Sequence, residues 1–599
     1  VIRFCPALKV AGSPVVIHVL EGKEDIPEFV NWIRSHKRFG LDTETSGLDY
    51  WNDSFKLRLI QFGTRDTAYV VPVEVSEDLW GAAVGAIRDI CRRGGKLAFQ
   101  NAPYDLLVLD AKTELRMEDI WPHVVDSKIL GHLVDSRAAK EGGTGHSLED
   151  LTRAYIDEEV ATKIKGSMAE LAKSMKTTKG EVFKNIDTWH PGYLLYSGLD
   201  PILSFRLARR LGPLVPTTAR KLIAFEHRVA EICSYMSRRG VRLDIAYTKA
   251  LIQRLYADEL EWTAIARELG CGNPWATEQA ADAFEARGVV IESRTPSGRR
   301  KVDKVFLEER VKQGDLLAKA IEQAKSARKK RTTWLEGFLE AVDSNGYIHP
   351  WINSIQARTA RMSITGIPAQ TLPSGDWEIR RCFLADEGHV IGSIDYKAQE
   401  LRVLAALADE KRMKAAFLNE EDLHQITADA AGVSRKIGKM ANFLTVYGGG
   451  VKALVQQAGV TEEVADKTLK AFMDTFPAVK KLSDNLTAKA RRDGYITTPS
   501  GRRLYVDKGR AYSAVNYMVQ STSRDVTCRA LVRLHEAGFT PYLLLPIHDE
   551  VVATIPANKA EWGTSRIGKI MEETLKGVHV GTDPEYGKVS WGSLYGAAE

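Results

Sequence analysis

Two acidic residues sit side by side in Pro546-Ile-His-Asp-Glu-Val-Val552, between the apolar runs 542–547 and 551–555. Both runs read as short buried strands, which puts His548, Asp549 and Glu550 at or beside a tight turn. Adjacent anions in such a place are costly unless a cation neutralises them. A divalent ion such as Mg²⁺ meets that need, because it takes carboxylate oxygens and shares its remaining positions with phosphates. Taken alone, the turn has a bland alternative as a solvated hairpin tip.

A second carboxylate with similar flanks lies upstream. In His389-Val-Ile-Gly-Ser-Ile-Asp-Tyr396 an apolar strand ends in Asp395, and 398–407 begins a helical pattern. Two strand-borne aspartates from separate segments suit a two-metal phosphoryl transfer, with one ion activating the attacking oxygen and the other steadying a leaving pyrophosphate. Between them Arg435, Lys439, Phe443 and Tyr447 are spaced by four. On a helix that spacing drifts only about 40° per step, so cations at one end and rings at the other share a stripe. Such a stripe suits a nucleoside triphosphate, since cations meet phosphate oxygens and a ring stacks on a base. An ordinary amphipathic helix with a basic polar face is the alternative. Gly448, Gly449 and Gly450 then end the helix.

The amino-terminal third carries its own acidic set. Asp42 and Glu44 stand at i and i+2 of a strand pattern, so alternation puts both on one face. Residues 57–62 and 68–73 read as the next two strands of a hairpin, and 97–101 as another strand before Asp105 at a helix start. Tyr196 and Asp200 lie at i and i+4 and face the same way on a helix. Four carboxylates gathered in one site would repel one another without divalent cations.

The carboxy-terminal segments resemble the three polymerase motifs of the family A DNA polymerases, the DNA polymerase I family. The matching pieces are Asp395-Tyr-Lys-Ala-Gln-Glu-Leu-Arg402, the helix from Arg435 to Gly448, and His548-Asp-Glu550. Thr359-Ala-Arg-Met-Ser363, Asp422-Leu-His424 and Asn516-Tyr-Met-Val-Gln520 fall in the family's order, and the likeness covers about residues 220–599. It implies two metal ions held by Asp395 and Asp549, with Glu550 as an outer ligand. It implies Arg435 and His424 on the outer phosphates, Lys439 on the α-phosphate or leaving group, and Phe443 and Tyr447 bordering the nascent base pair. By the same likeness Glu400 blocks a ribose 2′-hydroxyl. It also implies that Arg361, Gln370, Asn516, Gln520 and His548 touch primer-template near its minor groove, where acceptors look alike for every correct pair. Three places depart from the family pattern: Ala360 and Leu444 where glycine is usual, and Lys397-Ala-Gln399 for Ser-Gln-Ile. Phe443 in place of tyrosine implies discrimination against dideoxynucleotides.

The amino-terminal set resembles the DEDD exonucleases of the ribonuclease-H-like fold, in the variant with a tyrosine. That likeness implies Asp42, Glu44, Asp105 and Asp200 around two metals, with Tyr196 orienting the attacking water. Asp126 and His146 are read as structural supports.

The expected architecture is α/β and multidomain. A ribonuclease-H-like exonuclease domain spans 1–214, and a right-hand polymerase follows with a thumb at 215–345 and a palm at 346–599, the fingers inserted at about 408–512. The expected activity is template-directed extension of a primer 3′ end with dNTPs, with 3′→5′ proofreading. It implies Mg²⁺ (two ions per active site, with Mn²⁺ as a substitute), primer-template DNA and a single-stranded 3′ end. A length of 599 residues holds three or four domains, and 44% apolar with 27% charged residues is the balance of a soluble globular chain. With 83 basic against 78 acidic residues the net charge of +5 announces no nucleic acid, so local clusters matter more. Arg328, Lys329 and Lys330 lie in such a cluster ahead of Trp334 and are expected to grip duplex phosphates; a solvated helix face is the alternative. The lysine-rich stretch 163–184 is expected to be mobile or to meet single-stranded DNA.

Six cysteines without a C-x-x-C pair fit a reducing compartment. No apolar run reaches membrane-spanning length and no signal-peptide pattern opens the chain. There is no room before Asp42 for a 5′-nuclease domain, so the layout is expected to be that of a phage replicative enzyme in the host cytoplasm, one that organellar enzymes share. Two other classes compete. A stand-alone nuclease with a DNA-binding tail does not need Asp395, Lys439 and Asp549, and a single-subunit RNA polymerase does not need Glu400 or a proofreading domain.

Overall fold

The computed structural model describes residues 2–4, 8–295, 297–373 and 375–598, apart from the side chains of 2–4, 164–168 and 179. Cys5 therefore lies outside the described residues, as do some side chains of the lysine-rich stretch 163–184.

The amino-terminal part is built on a seven-stranded mixed sheet. Its order is Ile2–Phe4, Val16–Val19, Thr67–Val71, Leu57–Gly63, Arg38–Thr45, Lys96–Phe99, Val124–Asp126. Every residue of Leu57–Gly63 is buried, as expected of a strand covered on both faces. Phe29, Ile87 and Leu106 cover one side, and Tyr193, Leu194 and Ile202 cover the other. Strand Arg38–Thr45 pairs antiparallel with Leu57–Gly63 and parallel with Lys96–Phe99.

Helix Pro191–Leu211 crosses this sheet at two glycines. A Cβ on Gly40 would lie 1.8 Å from the Pro201 carbonyl oxygen, and one on Gly63 would lie 2.6 Å from the Pro201 carbonyl carbon. Only glycine permits that approach, and the approach brings Tyr196 and Asp200 down onto the strand of Asp42 and Glu44.

Helix Arg220–Arg239, in the stretch expected to open the thumb, packs into two cores. Leu222, Ala230 and Tyr235 pack with the amino-terminal core, whereas Val229, Ile232, Cys233 and Met236 pack with the carboxy-terminal one. Beyond it, helices Ile245–Glu268, Thr277–Ala286, Lys304–Lys312 and Leu316–Lys329 surround a small core that includes Ala266, Phe284, Leu307 and Ile321.

The carboxy-terminal part centres on a four-stranded antiparallel sheet in the order Leu543–Ile547, Glu550–Pro556, His389–Tyr396, Thr582–Tyr586. Helices Ala514–Glu536 and Ala560–Met571 add Val526, Leu531 and Ile567 to the core beside it, while Asp395 stays exposed. Six helices, from Lys411–Leu418 to Pro477–Asp493, follow in the stretch read in sequence as an insertion. Leu444 is 6% exposed there and packs with Ala441, Leu454 and Ala465. The departure from glycine at 444 thus supplies core to the insertion.

A fully buried charge cluster ties these parts together. Glu226 of the bridging helix receives both Arg524 amino groups at 2.7 Å and also pairs with Arg502. Asp525 accepts from Arg502 at 2.9 Å and from Ser500 at 2.6 Å. Among the described residues no helix is long and apolar enough to cross a membrane, and the described cysteines are free thiols.

Candidate active sites

The carboxy-terminal acidic pair sits where the hairpin turns. Ile547 pairs with Glu550, leaving His548 and Asp549 as a two-residue loop. His548 takes φ 54, a left-handed value at the first loop position that usually calls for glycine. Strain of this kind, about 1–3 kcal/mol, persists where surrounding structure enforces it. The neighbouring strand enforces it here: Asp395 stands opposite Glu550 in the ladder, and the Tyr396 amide donates to the Asp549 carbonyl at 3.0 Å.

Asp395, Asp549 and Glu550 therefore meet at one strand end. Asp395 is open to solvent on one side, but partial loss of water around its carboxyl first, then the charges of Asp549, Glu550 and Asp583, push that group up to about 8. Burial also raises Asp549 and Glu550, the latter opposed by a 2.5 Å hydrogen bond from Ser393 Oγ. Carboxyls pushed toward protonation by lost hydration, and for Asp395 and Glu550 also by neighbouring acids, are those a divalent cation would relieve. Asp583 and Ser393 were missed in sequence. Asp583 faces Asp395 from the edge strand Thr582–Tyr586, a pairing that no local pattern signals.

A cavity of about 400 Å³ opens above these carboxylates, lined also by Arg361, Glu400, Phe443, Tyr447 and His548. Helix Arg435–Tyr447 presents the ring end of the stripe, Phe443 and Tyr447, to it. The Phe443 and Tyr447 rings stack at 6.4 Å, and Lys439 Nζ lies 5.9 Å from the Phe443 ring centre. His424 sits 5.6 Å from Phe443, oriented by Asn442 Nδ2 at 3.0 Å from its Nδ1. Gly438 makes room for that helix, since a Cβ would meet the His424 carbonyl oxygen at 2.4 Å. Glu400 forms an ion pair with Arg361. Burial, then the Glu400 charge, raises the Tyr447 phenol to about 12.

Several expected ligand contacts are engaged within the protein. Arg435 pairs with Asp422 at 2.5 Å, the residue that caps helix Leu423–Ala431. The Gln370 amide accepts from the Ile364 N–H and donates to the Met362 carbonyl, both at 3.1 Å. Asn516 Nδ2 donates to the Val446 carbonyl at 3.2 Å, and Gln520 Nε2 donates to Asn516 Oδ1 at 3.1 Å. In the basic run, Lys330 is tied to Asp376 at 3.0 Å and Glu378 at 2.8 Å, so it is not on a free face. Arg328 stacks 4.6 Å over Trp275, and Lys329 lies 5.7 Å from Trp334.

The amino-terminal set gathers as well. Carboxylate oxygens of Asp42, Glu44 and Asp200 lie within 4.8 Å of one another. Asp105 stands beside this trio, its Oδ1 accepting from the Thr43 amide at 3.0 Å and the Thr43 hydroxyl at 2.7 Å. Burial and then Asp200 raise Asp42 well above the usual range, and burial and then Asp42 do the same to Asp105. The Asp200 charge, then burial, hold the Tyr196 phenol protonated. Asp126 is structural: it accepts from the Asn101 and Ala102 amides at 3.0 and 2.8 Å and caps helix Ser127–Val134. His146 Nε2 meets the Asp135 carbonyl at 2.7 Å, also a structural contact.

Comparison with known proteins agrees with both halves. Residues 258–593 match the model of DNA polymerase family A, and residues 17–216 match that of a 3′–5′ exonuclease. The DNA polymerase of Mycobacterium phage L5 is 50% identical across 98% of this chain and 99% of its own length. That of Mycobacterium phage D29 is 48% identical with the same coverage. The fold is similar to the polymerase domain of Pol1 from M. smegmatis, solved in complex with DNA primer-template and dNTP. The TM-score is 0.76 at 19% identity, covering 96% of this chain and 99% of that one. The chain belongs to DNA polymerase family A, as a DNA-directed DNA polymerase with an amino-terminal 3′–5′ exonuclease domain.

Proposed function

We propose that Asp395 and Asp549 hold two Mg²⁺ ions for primer extension, with Glu550 and Asp583 completing the negative field and Mn²⁺ able to substitute. The observation that carries this reading is the ladder register that sets Asp395 against Glu550, with Asp549 in the adjoining turn of a roomy cavity. Ions held there would acidify the attacking 3′-hydroxyl and offset the negative charge developing on the leaving pyrophosphate. The protein's own side chains position the nucleotide. Lys439, Arg435 and His424 meet phosphate oxygens, Arg435 by exchanging Asp422 for the triphosphate. Phe443 and Tyr447 border the new base pair, and Glu400 fills the space a ribose 2′-hydroxyl needs. Arg361, His548, Asn516, Gln520 and Gln370 stand along the primer-template side, Gln370 by shaping the strand after Arg361. Arg328 and Lys329 contact duplex phosphates from the thumb.

In the exonuclease domain Asp42, Glu44, Asp200 and Asp105 hold a second metal pair, and Tyr196, protonated, orients water toward a single-stranded primer 3′ end. The nearness of three carboxylates there supports this role. The likeness to phage polymerases supports replication in the host cytoplasm as the setting.

Primer extension in dNTPs, and primer shortening without them, tests the assignment. Asp549→Ala removes extension and leaves shortening, whereas Asp42→Ala with Glu44→Ala does the reverse, and a chelator stops both. Loss of extension in the folded Asp42→Ala, Glu44→Ala protein defeats the two-site reading.

A further inference from the structure

A loop of the polymerase part is gripped from within the exonuclease domain. Lys128, on helix Ser127–Val134, donates its Nζ to Asn101 Oδ1 at 3.1 Å and to Asn353 Oδ1 at 2.6 Å. Asn101, at φ 66, stands at the head of helix Ala102–Lys112, which carries Asp105. Asn353 ends strand Trp351–Asn353 and donates its Nδ2 to Gln356 Oε1 at 2.9 Å. One helical turn after Lys128, His132 Nε2 meets the Ala357 carbonyl at 2.9 Å. Burial, then the neighbouring His146, hold the His132 ring neutral, so Nε2 carries the proton and donates it to that carbonyl.

The gripped segment leads straight to the nucleotide cavity. The Gln356 and Ala357 amides both donate to the Arg361 carbonyl, at 3.1 and 3.2 Å, and Ala360 closes the turn at φ 64. Arg361 then pairs with Glu400 on the cavity wall. From the far side, Arg524 Nη2 donates to the Ser354 carbonyl at 2.7 Å and Thr359 Oγ1 donates to Gln520 Oε1 at 3.3 Å. The loop is thus clamped between an exonuclease helix and the palm helix Ala514–Glu536.

A half-buried amine is an expensive way to fill space. Burial lowers the Lys128 pKa against the pull of Asp126, and an apolar side chain would pack at less cost. What the amine supplies is geometry, since two amide oxygens on separate domains are fixed by one group. We infer that Lys128 and His132 are positioning residues of the polymerase reaction: from inside the exonuclease domain they hold the loop 353–361, and through it set Arg361 and Glu400 at the nucleotide pocket. The inference goes beyond the roles proposed above and rests on one of them, that of the Arg361–Glu400 pair.

The test uses the full chain carrying Asp42→Ala and Glu44→Ala, so that hydrolysis does not interfere. Lys128→Met removes the donor, and Asn353→Ala removes the acceptor without emptying the interface. Addition of one nucleotide to a paired primer is measured against dNTP concentration. In either variant KM for dNTP rises about tenfold with kcat within about twofold, the size expected of a small misplacement. The combined variant is no worse than the more affected single one, because both break the same contact. In an otherwise wild-type chain, Asn353→Ala, which leaves the Lys128–Asn101 contact beside the Asp105 helix in place, hydrolyses a single-stranded 3′ end at a rate within about twofold of the parent, a readout that general loosening would move. An unchanged KM in both variants, with the background enzyme still extending primers, overturns the inference. So does a parallel fall of extension and hydrolysis. Failure of the background enzyme itself to extend would instead strike the two-site reading, which keeps the two failures apart.

Discussion

Gly40 lies so close beneath Pro201 that a side chain on it would enter the proline's carbonyl group, with only 1.8 Å between Cβ and oxygen. That contact sets the depth at which Tyr196 and Asp200 hang over Asp42 and Glu44. Gly40→Ala is expected to lift the helix and separate the carboxylates. Overpacking of this kind costs about 1–3 kcal/mol. A displacement near 1 Å costs about 100-fold in hydrolysis of a single-stranded 3′ end. Extension of a paired primer by the same protein stays near the parent rate. Unimpaired hydrolysis in Gly40→Ala would show that the close approach does not position the site.

The Asp395 carboxyl, pushed up to about 8 by partial desolvation and three neighbouring acids, gives the metal requirement a pH dependence. Below that pH a proton competes with the cation, so the Mg²⁺ concentration for half-maximal extension rises as pH falls, about tenfold per unit well below the pKa. The sign for stability follows from the same shift. The folded form binds this proton more tightly than the unfolded form, so the metal-free protein loses stability as pH rises from the usual carboxylate range toward 8. Asp395→Asn is therefore expected to melt higher than the parent at pH 8 without metal, although it extends no primer. Thermal melts with and without Mg²⁺ check this, and a lower melting point for Asp395→Asn would contradict it.

Glu226 is fully buried and receives two arginines. Glu226→Ala leaves Arg502 and Arg524 without their shared partner, a change that costs about 3–5 kcal/mol where a buried pair is broken. A denaturant midpoint shift equivalent to under about 1 kcal/mol would mean that Asp525 alone suffices for both guanidinium groups.

How much of this was legible in the sequence depends on how local each signal is. Asp549 in its turn, Asp395 at its strand end and the Arg435-to-Tyr447 stripe are fixed by period and by adjacent apolar runs, so pattern alone located them. Strands around Asp42 and Glu44, and the helix of Tyr196 and Asp200, were readable for the same reason. Asp583 was not, because its place opposite Asp395 depends on a strand nearly 200 residues away in sequence. The two-sided packing of helix Arg220–Arg239 was not legible, because its pattern shows an amphipathic helix but not which cores take its faces. The basic run looked free since its partners Asp376 and Glu378 lie beyond the end of the helix that carries it.

Those partners divide the basic run into separate expectations. Lys330→Ala removes a cation already paired with two acids and leaves the salt dependence of duplex binding unchanged. Lys329→Ala, exposed beside Trp334, lowers the slope of log affinity against log salt by about one. Equal slopes for all three proteins would remove Lys329 from the duplex contact.

The central claim is that Asp395 and Asp549 share a pair of divalent cations. Crystals of the chain with a chain-terminated primer, template and the matching dNTP, grown in Mn²⁺, test it most directly by anomalous scattering. Two peaks are expected between these carboxylates, about 3.5–4 Å apart, as in two-metal phosphoryl transfer. A filled nucleotide pocket with no peak bridging Asp395 and Asp549 would contradict the account.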